Sequence, residues 1–558
     1  MRAWVVVGAL VAAVLGVTPA AAAAGPGIVV AADLPEPAGA QGVDTVMPAA
    51  TAKALQATAS LKANGTYTCQ GFSNVAAGTP VANLLQDIYT WGGFKPYKVG
   101  NGSGNINWKL NPYNNPSWYM WFHSLRWLGQ GIVAASQGNT AALDRVTTIV
   151  HDWVRDNPYS WKGNVGAWES TMHRTNVLIC TRQAILAGLH VTMLPPQYQW
   201  IDMALLDHAK FLVNNWSGAW NHGTDESIAL FGVGCTLDRS DYLSLAVSRL
   251  QAGITTSIDA QGSTNEQSTA YAQFNYVLWG RAIDVLRACG VDPGTTIAAR
   301  RTLLADWLAH ATDSRGTLHQ IGDSELVRTT PVANTPLEYA GSLGATGVPP
   351  TDRAKVYSAG YVFGRSEWAP TFASQASYAI RYGPAHAMHG HSDHMSVTYT
   401  ARGRDILVDS GHAGYQNDQW RTWAKSPFAH NVMTTPLAPD LNPATKLTRS
   451  AQSATADFYE FSDVPGAGIS RVRDVLVLRN PDLLVTLDRG SAKTAQQFQT
   501  LWHLPADQTA SVYSRTTATA ERKSDSTRTV LFQLPYRQAL PAGAILVKRA
   551  QTSPIQGW

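Results

Sequence analysis

The periodicity of apolar and polar positions changes once along the chain. From about residue 80 to residue 310 apolar positions recur at helical spacing, as in Trp118, Met120, Trp121, Leu125 and Leu128, which line one face. Helices are predicted over 139–156, 169–189, 198–214, 223–236, 240–256, 267–288 and 295–311, with breaks such as Gln137-Gly138-Asn139 and Asp292-Pro293-Gly294 between them. Residues 326–356, with Pro331, Pro336, Pro349 and Pro350 among Gly and Thr, read as a linker. Beyond them the period falls to two. Strands are predicted at 378–382, 395–399, 405–408, 468–478, 482–488, 496–503, 528–534 and 544–549, which together read as an antiparallel sandwich. Helices first and strands afterwards predict an α+β multidomain chain, not an alternating α/β fold. The expected boundaries are 61–325 for the helical domain, 326–356 for the linker and 357–558 for the sandwich.

The N-terminus carries a different signal. Met1-Arg2 is followed by an apolar run from Ala3 to Val17, then by small residues to Ala24. This pattern reads as a secretory signal over residues 1–24, with a flexible Ala/Pro/Gly-rich leader over 25–60. The other reading is a membrane anchor, but the run is short of the roughly 20 residues a span needs. The expectation is therefore a secreted protein, extracellular or periplasmic, with no membrane attachment after signal removal. Cys69, Cys180, Cys235 and Cys289 permit three disulfide pairings, or buried free thiols, and the sequence does not choose among them.

Composition narrows the function classes. The 558 residues are 45% apolar and 15% charged, against roughly 25% charged in ordinary soluble proteins, which excludes a disordered chain. The net charge of +4 comes with no basic block, which argues against nucleic acid as a partner. The chain is rich in aromatics, with 19 Trp, and aromatic faces suit sugar rings as well as cores.

Four clusters carry candidate chemistry. Trp220-Asn221-His222-Gly223-Thr224-Asp225-Glu226 precedes a predicted helix and reads either as a cap or as an anion site at a helix start. In Asn265-Glu266-Gln267 to Phe274, Gln267 and Tyr271 are expected on one helical face; Tyr271 is core unless the polar Gln267 marks a cavity. His386-Ala387-Met388-His389-Gly390-His391-Ser392-Asp393-His394 places four imidazoles at a strand entry, where His389 and His391 point the same way. It is a solvated loop or a site for metal or proton transfer. The fourth is Asp409-Ser410-Gly411-His412, followed by His430-Asn431; from it Asp409 and His430, with His391, make a candidate His₂-carboxylate zinc set.

In this order the clusters resemble the heparinase II/III-like polysaccharide lyases, a group that includes heparin, heparan and alginate lyases. The matching text is Asn221-His222, Asp259 through Phe274, Gly322-Asp323, Tyr361 through Ser366 and His389 through Asp393, then Leu407 through Gly411, Asp418 through Arg421 and Ala429-His430-Asn431. The resemblance implies an incomplete α/α toroid followed by an antiparallel β-sandwich. It implies β-elimination on a uronic-acid polysaccharide, with loss of the C5 proton and the C4 oxygen and a C4=C5 product. Asn221 and His222 match the pair that neutralises the carboxylate. Tyr271 matches the residue that protonates the leaving oxygen, and His389 the base or charge stabiliser; Tyr271 performing both proton transfers stays open. His391, Asp409 and His430 match a structural zinc site bracing the His389 loop. Gln267, Arg174 and Arg421 are expected to contact substrate, the arginines by gripping a carboxylate unless they form structural ion pairs. Ala272 stands where many members have His, and Trp220-Asn221 replaces a doubled Asn, departures that bear on substrate class.

Two other readings compete. One is a toroid glycoside hydrolase pairing Asp225 or Glu226 with Asp323 or Glu325, since hydrolysis needs two carboxylates flanking the bond. The other is a non-catalytic extracellular carbohydrate-binding protein.

Overall fold

The computed structural model describes residues 4–9 and 78–556, apart from 92, 167, 370–373, 436–441, 467, 535–542 and 554. Most of the expected signal, the whole leader and Cys69 therefore lie outside the described residues. The chain divides into two compact units. The helical unit runs up to Ser257 and takes Val277–Arg300; the sheet unit takes Ile258–Tyr276 and everything from Arg301.

In the helical unit the main helices are α1 (Pro116–His123), α2 (Gly129–Ser136), α3 (Thr140–Asp156), α4 (Trp168–Gly188), α5 (Trp200–Asn214), α6 (Asn221–Thr236) and α7 (Ser240–Ser257). Local chemistry starts several of them. Asn115 caps α1 by accepting from Trp118 N, with Pro116 at the first helical position, and Asn139 caps α3 by accepting from Ala142 N. The packing alternates: α2 lies against α4 and α4 against α6, while α3, α5 and α7 back α2, α4 and α6 respectively. An inner and an outer helix in turn is the arrangement of an incomplete α/α toroid. Its inner member α6 is buried along nearly its whole length. Cys235, near the end of α6, is disulfide-bonded to Cys289, and Cys180 is disulfide-bonded as well.

The last helices, α8 (Thr269–Ala288) and α9 (Thr295–His310), each pass from one unit to the other along the chain. In the sheet unit a five-stranded antiparallel sheet runs in sequence order through β1 (Ala354–Tyr357), β2 (Tyr361–Arg365), β3 (Ser377–Arg381), β4 (Val397–Ala401) and β5 (Arg404–Leu407). Residues Arg402 and Gly403 at positive φ make the tight β4–β5 turn. A second sheet contains β6 (Lys446–Gln452), β7 (Ala456–Gly466), β8 (Ile469–Leu478), β9 (Leu483–Ala492), β10 (Gln508–Val512), β11 (Thr517–Arg522) and β12 (Arg528–Gln533). Its order is β6-β7-β8-β9, then the Trp4–Ala9 strand, then β12-β11-β10. The expected signal thus contributes a strand that is parallel to both β9 and β12.

The two sheets share one core, with Val362, Ile380 and Val397 from one side and Tyr459, Phe461 and Val475 from the other. The other face of the five-stranded sheet is covered too: Trp307 of α9 meets Tyr361 and Phe363 edge-on at 5.2 and 5.1 Å. Its inner strands are buried at every position, whereas β7 and β8 alternate. The residues before β1 are not a linker. Pro336–Gly341 forms a short helix whose Leu337, Tyr339 and Ala340 are buried. Two predicted strands change: 496–503 reduces to Gln499–Thr500, and 544–549 forms no strand and leaves Leu546 exposed.

Candidate active site

The residues that gather in the sheet unit come from four separate segments. Tyr271 lies in the first turn of α8. Its ring stacks on His389 with centroids 3.5 Å apart and planes at 11°. Its hydroxyl lies 2.5 Å from that of Tyr415, a residue 45% exposed. Burial first, then Tyr415, Glu266 and Asp323, push the Tyr271 phenol well above its ordinary pKa. This phenol stays protonated at any working pH and is suited to donate.

The His389 ring lies between two carboxylates. Nδ1 is 3.0 Å from Asp323 Oδ2, and Nε2 is 3.5 Å from Glu266 Oε2. Asp323 also meets His391 Nε2 at 2.9 Å and His412 Nδ1 at 3.0 Å, with both terminal nitrogens of Arg421 at 3.4 Å. Burial would raise the Asp323 carboxyl, but the hydrogen bonds from His389, His391 and His412 outweigh it and hold the group far below the carboxylate range. The backbone braces this arrangement. Asp323 N donates to His389 O at 2.7 Å, and His389 N to Glu266 O at 3.3 Å. Gly322, at φ +62°, leaves no room for a side chain because a Cβ there would collide with the carbonyls of Gln267 and His389.

Gln267 differs from its expected place. It precedes α8 in the left-handed region, at φ +57°, so it shares no helical face with Tyr271. Its amide instead clamps the histidine loop, donating to Ala385 O at 3.1 Å and accepting from Ala387 N at 2.7 Å. Arg421 donates to Gly414 O at 2.7 Å and lies over the Tyr415 ring at 4.7 Å. It is part of the Asp323 cluster, with its side chain 20% exposed.

The three residues expected to hold zinc meet differently from a three-ligand set. His430 Nδ1 bonds Asp409 Oδ2 at 2.7 Å, and the His391 and His430 rings are 5.5 Å apart. The buried atoms His391 Nδ1 and His430 Nε2 have no hydrogen-bond partner, which fits a pair of metal ligands. Asp409, placed on the opposite nitrogen of His430, fits a carboxylate that orients a ligand. Among the described residues no group of three His, Cys, Asp or Glu stands together as a metal-holding set. Asn431 fixes the neighbouring backbone by donating to Val397 O and Val408 O, both at 2.8 Å.

In the helical unit, Asn221 and His222 open α6. Asn221 is buried, while His222 stacks near Trp220 at 4.2 Å and meets Glu169 Oε1 at 3.1 Å. Arg174 does not serve as a substrate grip. It is fully buried, donates to His208 Nε2 and to His123 O at 2.8 Å each, and packs over Trp153 at 3.8 Å, so no polymer reaches it. Trp118 and Trp127 are core, and Trp121 and Trp161 are half-buried.

Two of the four carboxylates of the hydrolase reading, Asp225 and Glu226, are committed elsewhere. Asp225 pairs with Arg281, and Glu226 is buried with Ser217 bonded to it through both N and Oγ. Sequence reading assigned no role to Glu266, His412 or Tyr415. Glu266 adjoins the Gln267–Tyr271 cluster and His412 ends the Asp409-Ser410-Gly411-His412 cluster, but nothing in the spacing singles out Tyr415.

Residues 349–551 match the family model described as heparinase II/III-like, C-terminal. A search of curated proteins by sequence found no match. Among solved structures, Heparinase III is similar with a TM-score of 0.69 and 16% identity, covering 85% of this chain and 82% of that one. Heparan sulfate lyase HepC from Pedobacter heparinus is similar with a TM-score of 0.59 and 15% identity, covering 85% of this chain and 80% of that one. The chain thus carries a heparinase II/III-like C-terminal domain and shares the toroid-plus-sandwich fold of the heparinase III structures.

Proposed function

We propose that this protein is a secreted polysaccharide lyase that cleaves a uronic-acid polysaccharide by β-elimination. The observation that carries the reading is the Tyr271–His389 pair, a phenol stacked on an imidazole that is itself flanked by Asp323 and Glu266. The reaction needs a base at C5, an acid at the C4 oxygen, and both within hydrogen-bond reach. His389 takes the C5 proton, and the C5–H electron pair becomes the C4=C5 bond. The C4–O pair leaves with the oxygen, which receives the Tyr271 proton. Burial keeps the proton on Tyr271, as the acid role requires. Tyr415, half exposed beside it, is placed to return a proton from solvent. Asn221 and His222 are proposed, on the resemblance alone, to neutralise the substrate carboxylate.

The disulfides support export. Among the described residues no helix is long and apolar enough to cross a membrane. The likeness to a heparan sulfate lyase supports an acidic polysaccharide as substrate. The test incubates the protein with heparan sulfate, hyaluronan, chondroitin, alginate and glucuronan. Ultraviolet absorbance of unsaturated uronate and reducing ends are then followed together. Both rising supports the lyase; reducing ends alone mean hydrolysis and overturn it.

A structural zinc is part of the proposal. His391 and His430 would hold it and Asp409 would orient His430, while the ion would supply rigidity beneath the His389 loop. Elemental analysis of dialysed protein is expected to find about one zinc per chain. Protein that is metal-free yet retains full thermal stability would remove zinc from the account.

A further inference from the structure

We infer that Asp323 is the positioning residue of this site: one buried carboxylate sets the tautomers of three histidines and so selects the reactive nitrogen of His389. The kinetic consequence rests on the lyase reading; the geometry does not.

An ionised carboxylate only accepts hydrogen bonds, and a neutral imidazole has one N–H and one bare nitrogen. Asp323 faces His389 Nδ1, His391 Nε2 and His412 Nδ1 at 2.9 to 3.0 Å, so each of these nitrogens carries the proton it donates. The remaining nitrogens follow. His389 Nε2, with Glu266 Oε2 at 3.5 Å, is left as the nitrogen that exchanges a proton, and His391 Nδ1 is left bare; both are buried atoms without a hydrogen-bond partner. With the opposite tautomer, His389 would turn a lone pair toward the carboxylate and lose its base nitrogen. Asp323 therefore acts on His389 as the buried Asp of a Ser-His-Asp triad acts on its histidine, by holding tautomer and ring orientation. The orientation matters here because the same ring lies flat against Tyr271.

Asp323 is also held through its backbone. Its backbone N–H is bonded to His389 O, its carbonyl accepts from Ser268 Oγ at 2.8 Å, and Gly322 before it fits a space that admits no Cβ. Asp323→Asn keeps the shape, but its single acceptor oxygen cannot serve three donors. Its turnover is expected to fall about a hundredfold or more, as misoriented catalytic groups do. KM is expected to stay within about threefold, the mark of a loss felt in the transition state. Turnover within about threefold of wild type would overturn the proposal.

A second measurement needs neither the variant nor activity. Nitrogen-resolved NMR of wild-type protein with labelled histidine, the His389 signals assigned by their loss in His389→Gln, is expected to report protonated Nδ1 and bare Nε2. The reverse tautomer overturns the role of Asp323 even if the enzyme is active. If wild-type protein releases no unsaturated product from any polymer, the lyase reading fails while the tautomer measurement still decides this one.

Discussion

Tyr271 Oη lies 2.5 Å from Tyr415 Oη while its ring covers His389, so the phenol and the imidazole are fixed relative to each other before any substrate arrives. Tyr271→Phe removes the proton donor and retains the stack. Turnover should fall by about 10²–10⁴, the range for a general acid. Stability should change by only about 1 kcal/mol, the net value of one hydrogen bond. Denaturant midpoints read beside product formation check both, and near-normal turnover in this variant removes Tyr271 from the mechanism. At this scale the sequence put Tyr271 and His389 in one family pattern, and the fold stacks their rings. Asp323 stood in the matching text, but its task was not legible. Its partners His389, His412 and Arg421 are 66, 89 and 98 residues away in sequence, and only the folded chain brings four donors to one carboxylate. For Arg174 the sequence left substrate contact and structural pairing open, and the fold encloses its cation among Trp153, His208 and a carbonyl.

At the scale of elements, the histidine loop is held by a clamp from another segment. Gln267 bonds both Ala385 and Ala387, and its side chain ends where any Cβ on Gly390 would lie. Gln267→Ala should loosen this loop. Amide exchange over 385–390 is expected to speed up several-fold at least, and turnover to fall with it, while exchange in β7 and β8 stays unchanged. Unaltered exchange in the loop would show that the clamp does not hold it. The helical period placed most helices within a few residues, yet the exact starts mattered. Beginning α6 at Asn221 rather than at 223 brings Asn221 and His222 into its first turn. Beginning α8 at Thr269 excludes Gln267. Alternation located β8 and β9, whose faces differ. It missed β2, buried on both faces, although β3 and β4, buried in the same way, were found.

For the whole molecule, the Cys235–Cys289 bond spans 54 residues, and the chain between them enters the sheet unit at Ile258–Tyr276 and returns. Closing a loop of that length stabilises by about 4 kcal/mol in the chain-entropy model. Cys235→Ser is therefore expected to lower the unfolding free energy by up to that amount, read from denaturant midpoints under non-reducing conditions. No change would mean that the helical unit does not draw on the bond.

What the sequence determined by itself was local and ordered: helices before strands, a sandwich half, and a series of chemical clusters in family order. These are set by periodicity and residue type, which act over a few residues. Tertiary structure decided which cysteines pair, where the units divide, and which side chains converge on Asp323. Such contacts join segments far apart in the chain, and no short-range pattern encodes the geometry of their meeting.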